Sequence, residues 1–349
     1  TNGNPLPLES RTFVKSLREA GYRTALIGKS HLQNMTGQPR AFTPQEALGK
    51  DGQVFEAFEH DLYSADYENE NSRLWREDAL HTVRTPFYGF DHVDLCTEHG
   101  DRVGGSYARW LAGKHPDPDT LRGPANAIPD ETIVTPQAWR TRVPEALYPS
   151  RYIADQTCEH LERLASEPDG GPFFIQCSFP DPHHPFTPPG RYWSMYDPAS
   201  IPLPESFGQG DSPMLCHMRE SLARGEADRT GTLPYAVSER EAREAIALTY
   251  GMITLVDDAI GQVCSALHAT GLAENTVLVF TTDHGDFMGD HGIMLKGPLH
   301  YRGLIRVPLI WSDPGVDSEP VVKSLAQSID IPATFLERSG IQPYYGMQG

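Results

Sequence analysis

Four short segments of this chain carry side chains able to act on an anion or hold a cation: Lys29 with His31, His183 with His184, Asp283 with His284, and Lys296. Lysine presents a compact point charge suited to sulfate or phosphate oxygens. A single lysine is usually a solvated surface group, but Lys29 directly follows an apolar run and a glycine. His183 and His184 stand in a Pro-rich loop, where packing or capping competes with a role as general acid for a leaving alkoxide or phenoxide. Asp283 and His284 offer a carboxylate oxygen and an imidazole nitrogen to a divalent ion, and Gly285 lets the backbone leave sharply. The same three residue types are common in plain turns. The surrounding run, Thr281-Thr282-Asp283-His284-Gly285-Asp286-Phe287-Met288-Gly289-Asp290-His291-Gly292, strengthens the metal reading.

These segments sit where strands end. Ser10 can cap a helix over 10–20, with Phe13, Leu17 and Ala20 on one face and Gly21 to stop it. Thr24-Ala25-Leu26-Ile27 then reads as a short buried strand running into Gly28-Lys29-Ser30-His31. Residues 150–165 form a second helix, with Ile153, Thr157, Leu161 and Leu164 recurring. Phe173 to Phe179 reads as a central buried strand, ending at Pro180-Asp181-Pro182-His183-His184. Ser238 and Glu241 form a capping box that opens a long helix to about Ala269. A third strand follows over 276–282, delivering Asp283. A fourth spans 305–311, and Asp330 caps a last helix with Pro332 in its first turn.

Helices alternating with short apolar strands predict an α/β fold: a mainly parallel central sheet covered by helices on both faces. In such a sheet the strand C-termini share one edge, where open α/β sheets place their sites. The spacing thus predicts that Lys29, His31, His183, Asp283, His284 and Lys296 line one cleft. The stretches 33–148 and 187–236 are loop-rich and read as excursions over that face, carrying specificity. The polar run Glu98-His99-Gly100-Asp101-Arg102 lies in the first of them without an assigned role.

Composition excludes some classes. The 349-residue chain carries a formal net charge of −18, which argues against nucleic acid as partner but not against a small anion in a locally cationic cleft. No apolar run reaches membrane-spanning length. The five cysteines, an odd number without a CxxC pair, point to free thiols rather than a zinc knuckle or disulfide scaffold. Cys158, Cys177 and Cys264 fall in apolar patterns and read as inert core thiols.

The ordered motifs resemble the type I sulfatases of the alkaline phosphatase superfamily. Gly21-Tyr22-Arg23-Thr24-Ala25-Leu26-Ile27-Gly28-Lys29-Ser30-His31 is similar to the signature G-Y-x-T-x-x-x-G-K-W-H, with Ser30 replacing Trp. Residues 178–186 are similar to the family's Pro-His-x-Pro loop. Residues 275–296 resemble its C-terminal metal segment, and 306–310 and 328–334 match later landmarks. The resemblance implies an alkaline phosphatase-like catalytic domain over 1–349 and hydrolysis of an aryl or carbohydrate sulfate. Lys29, His183 and Lys296 would bind substrate. His31 would hydrogen-bond the nucleophile and help regenerate it. His183 and Lys296 would protonate the leaving group, while Asp283 and His284 would be half of the ligands of one divalent ion, expected to be calcium.

The family's nucleophile is a formylglycine made from Cys or Ser in a C-x-[PA]-x-R motif, and none of the five cysteines sits in one. The reading is therefore of a domain incomplete at both ends, without the formylglycine segment and the C-terminal subdomain. Two alternatives stand beside the sulfatase: a phosphonate or phosphate ester hydrolase of the same superfamily, and a non-catalytic remnant. Compartment stays open, periplasmic and secreted locations included, as does oligomeric state.

Overall fold

The computed structural model describes residues 5–35, 64–167, 170–317 and 321–349. The part of the expected 33–148 excursion between 36 and 63 lies outside the described residues.

Helix α1 (Phe13–Glu19) leads into strand β1 (Arg23–Lys29). Then come α2 (Ser72–Glu77), β2 (His92–Cys96), α3 (Ser106–Lys114), α4 (Pro149–Ser166) and β3 (Phe173–Ser178). The second half contains α5 (Pro213–Ala223), β4 (Tyr235–Ala236), α6 (Glu239–Ala269), β5 (Leu278–Thr281) and β6 (Ile293–Met294). It closes with α7 (Arg302–Ile305), β7 (Leu309–Ser312) and α8 (Asp330–Arg338).

The parallel sheet has the order β2-β1-β3. Its central strand is apolar on both faces, as a strand covered from both sides requires. Leu26 packs on one side with Val14, Trp75, Phe87, Phe90 and Leu95. Ile27 packs on the other with Cys96, Tyr107, Tyr152 and Ile153. Helices α1 and α2 thus cover one face and α3 and α4 the other. The long α6 opens with the capping box of Ser238 and Glu241 and buries Ala242, Ala245, Leu248 and Met252 at helical spacing.

Strand β5 does not join this sheet among the described residues. It pairs antiparallel with β7, and β4 pairs antiparallel with β6. The parallel expectation therefore holds for β1 and β3 and fails for the strand before Asp283. The expected strand over 305–311 divides into helical turn α7 and strand β7, because Pro308 lacks the N–H a ladder needs and the strand begins after it. Phe335 of α8 ties the ribbon to the sheet: its ring lies 5.6 Å from Phe13, 5.5 Å from Phe174 and 5.4 Å from Trp311.

Two caps differ from expectation. Thr12, not Ser10, caps α1, accepting from Lys15 N at 3.1 Å. Asp330 is the first residue of α8 rather than its cap, and its carboxylate accepts from Gln327 N at 2.7 Å. All five cysteines are free; Cys96 is the fully buried one, while Cys158, Cys177 and Cys264 are only partly covered. The stretch 33–148 is less irregular than expected, since it contains α2, β2 and α3.

Candidate active site

The site is built from the exits of β1, β2 and β3, from the loop between β5 and β6, and from the exit of β6. At the end of β1, Gly28 has φ +112°, a conformation suited to glycine, and a Cβ there would collide with the Ser178 carbonyl of β3. The close approach aims the next residues, Lys29 to His31, off the sheet edge. Gly285 is needed for a related reason: a Cβ would collide with the Gly303 carbonyl. Close packing, not a left-handed turn, is thus what its position demands.

The loop after β3 is pinned at two points. Ser150 Oγ donates to the buried Asp181 carboxylate at 2.6 Å, and burial pushes the Asp181 pKa up to about 7. Phe186 is fully buried, and its N–H donates to Gln137 O at 2.8 Å. Between these anchors, His183 reaches Lys296: Nε2 lies 2.5 Å from Lys296 Nζ. His183 Nδ1 lies 2.5 Å from the His184 carbonyl. A carbonyl accepts only, so Nδ1 carries the hydrogen and Nε2 offers its lone pair to the ammonium. His183 is therefore neutral in this arrangement. Burial, with His99, His184 and Lys296 nearby, drives its pKa far down.

His99, in the turn after β2, stacks on His183 with centroids 3.6 Å apart and planes 12° apart. His184 lies 4.1 Å from His183 on centroids. Burial, then repulsion from Lys29 and Lys296, holds His99 well below the ordinary histidine range. Among the described residues its Nε2 is buried without a hydrogen-bond partner, as is His184 Nδ1.

Lys29 is largely buried, and desolvation lowers its pKa to about 8; Asp283 and Glu70 attract the charge and Lys296 repels it. Desolvation also lowers Lys296, against attraction by Asp286 and Asp283. His31 stands at the surface; partial desolvation, Lys29 and Lys296 all lower its pKa. Burial alone would raise Asp283, but His284, Lys29 and Lys296 outweigh it and hold the carboxyl below the usual range. Lys29, His31, His183, Asp283 and Lys296 are thus linked by direct contact or mutual electrostatic influence. His284 adjoins them through Asp283.

Asp283 Oδ2 and His284 Nε2 stand 3.4 Å apart. His284 Nδ1 is engaged with Gly285 O at 2.7 Å, which leaves Nε2, beside the Asp283 carboxylate, to face a cation. The pair suits two places around a divalent cation, fewer than such an ion takes. Among the described residues no group of three or more His, Cys, Asp or Glu gathers to complete it.

Two residues of this neighbourhood were not legible in the sequence. His99 lies in the polar run 98–102, but only the pairing of β2 and β3 on either side of β1 brings it against His183. Glu70, which binds the β1 exit turn, has no sequence signal at all.

Residues 1–341 match the profile of the family described as Sulfatase. The multifunctional alkaline phosphatase superfamily protein PehA of Trinickia caryophylli is 29% identical, aligned over 57% of this chain and 40% of its own. An arylsulfatase of Clostridium perfringens (strain 13 / Type A) is 33% identical over 49% of this chain and 33% of its own. The phosphonate monoester hydrolase SpPMH of Silicibacter pomeroyi superposes with a TM-score of 0.64 at 22% identity, covering 100% of this chain and 62% of that one. The chain spans 40%, 33% and 62% of the length of these three proteins. With the motifs in order and the family profile matched over residues 1–341, this chain belongs to the sulfatase family.

Proposed function

We propose that the protein acts as a sulfuric ester hydrolase on an aryl or carbohydrate sulfate. The observation that carries this reading is the convergence of Lys29 and Lys296 with His31 and His183 beside Asp283. Two ammonium groups held out of water bind a small dianion far better than exposed ones would, because the surrounding dielectric is low. Lys29 enters from the buried sheet and Lys296 from the β6 side, so the anion would be gripped from two directions. Lys296 would also hold the proton for the leaving oxygen. Neutral His183, its Nε2 accepting one hydrogen of that ammonium, would orient the remaining ones toward the leaving oxygen. His31, at the mouth of the site, would act as the base.

A divalent cation, calcium in this reading, would occupy Asp283 and His284 together with further ligands; when bound it would neutralise charge on the ester oxygens. The formylglycine characteristic of the family would provide the attack on sulfur, and no residue of 1–349 is assigned to it.

The fold neighbour, by its name a phosphonate monoester hydrolase, supports a second reading, hydrolysis of a phosphonate or phosphate ester. Side-by-side turnover of an aryl sulfate, an aryl phosphonate monoester and a phosphate diester by the purified enzyme tests the choice. Sulfate turnover well above the others is expected; phosphonate or diester turnover far above sulfate would reverse the reading, and no turnover of any would favour a binding role.

A further inference from the structure

The β1 exit turn is held by a carboxylate buried beneath it. Glu70, just before α2, has no exposed surface. Its Oε1 accepts the Leu32 N–H at 3.1 Å and its Oε2 the Gln33 N–H at 2.9 Å. The Ser30 hydroxyl donates to the same carboxylate. These three donors bracket His31, one before it and two after. Lys29, the next residue back, is drawn to the same negative charge.

The environment reinforces the turn. Gln33 Oε1 accepts from Asn69 N at 3.0 Å, and Gln33 Nε2 donates to Asp66 O at 3.1 Å. Trp75 Nε1 donates to Asn69 O at 2.8 Å, anchoring the segment to α2. A carboxylate withdrawn from water is costly unless its lone pairs are filled. Here the backbone of the turn fills them, so the turn and the carboxylate fix each other through charge-assisted bonds. Ser30, nearly buried and standing where the sulfatase signature carries Trp, supplies the third donor to the carboxylate.

We propose that Glu70 is a positioning residue of the anion site, clamping backbone 30–33 with Ser30 so that Lys29 and His31 are held toward the bound sulfuryl group. This rests on the reading of Lys29 and His31 as anion contacts. Glu70 itself touches no substrate in this account.

Backbone amide exchange and calorimetric titration with inorganic sulfate, on the wild type and on Glu70→Gln, Ser30→Ala, Lys29→Ala and Glu70→Gln/Lys29→Ala, test it. Gln keeps the shape but replaces one acceptor oxygen with a donor, leaving one turn N–H unpaired. In Glu70→Gln the Leu32 and Gln33 amides should exchange at least about tenfold faster, with Ala25, Leu26 and Ile27 of β1 unchanged. Sulfate should bind about tenfold more weakly, roughly one such lost bond. The milder Ser30→Ala should weaken it about two- to threefold. The double variant should bind no worse than Lys29→Ala, because Glu70 acts through Lys29 and its turn.

Unchanged exchange at Leu32 and Gln33, or equal loss of protection throughout β1, would overturn the clamp whatever sulfate does. Unchanged sulfate affinity in Glu70→Gln, or losses that add in the double variant, would overturn the positioning role. A wild type without sulfate affinity would remove the anion-site reading and the positioning role with it, even with the clamp intact in the exchange data.

Discussion

The parallel sheet and the β5–β7 ribbon each deliver site residues from a strand exit, and each depends on a glycine that lies against a carbonyl. They differ in how that exit is supported. In β1 the residues Ala25, Leu26 and Ile27 are 0% exposed, packed between strands and between helices. In the ribbon Leu278 is 40%, Phe280 39% and Ile310 59% exposed, and Phe335 is its main link to the sheet. Lys29 therefore stands on a scaffold fixed by packing on every side, whereas Asp283 and His284 stand on one with few buried contacts. The proposed anion-binding half is thus backed by the core, and the proposed cation-binding half by a more exposed ribbon.

The comparison can be broken most severely at the two glycines. Gly28→Ala must displace the Ser178 backbone and adopt an unfavourable φ, so a loss of about 3 kcal/mol or more in denaturant unfolding is expected. Gly285→Ala meets the Gly303 carbonyl in a less packed region and should cost about 1–2 kcal/mol. Equal losses would show that the ribbon is as tightly held as the sheet.

Side-chain truncation gives the next contrast. Leu26→Ala removes a fully buried side chain and should cost about 3 kcal/mol. Phe280→Ala, partly exposed already, should cost less than about 1 kcal/mol by the same measurement. A larger loss at Phe280 would place the ribbon within the core.

The smallest effect concerns pH. Burial lowers the Lys29 pKa to about 8. The ammonium that binds the anion is complete below that value and lost as pH rises through it. Sulfate affinity should thus weaken above about pH 8, where an ordinary lysine would keep its charge to about pH 10. A flat affinity across that interval would mean that Lys29 is better solvated than its surroundings imply, and would remove the distinction between a buried and an exposed half.

The sequence made β1 and its exit readable because everything needed is local: an apolar run, a glycine, then Lys29 and His31. The capping box of α6 was readable for the same reason. The ribbon was not, because a short apolar run has no feature that separates a parallel neighbour from an antiparallel one. Pro308 did mark where β7 could begin, yet nothing nearby announced the turn at 302–305. His99 and Glu70 were invisible as site residues, since one depends on the pairing of β2 and β3 with β1 and the other on α2 packing beneath a turn some forty positions earlier in the chain. The contact of Lys296 with His183 joins residues 113 positions apart and follows only from the fold, although both were candidates from their motifs.

The central claim is that Lys29 and Lys296, delivered by different elements, form one anion site. Calorimetric titration of inorganic sulfate into the wild type, Lys29→Ala, Lys296→Ala and the double variant tests it most directly. The account predicts a loss of about tenfold or more for each single change, and a double variant whose loss departs from the sum. Sulfate affinity unaffected by either substitution, or two small losses that simply add, would contradict it.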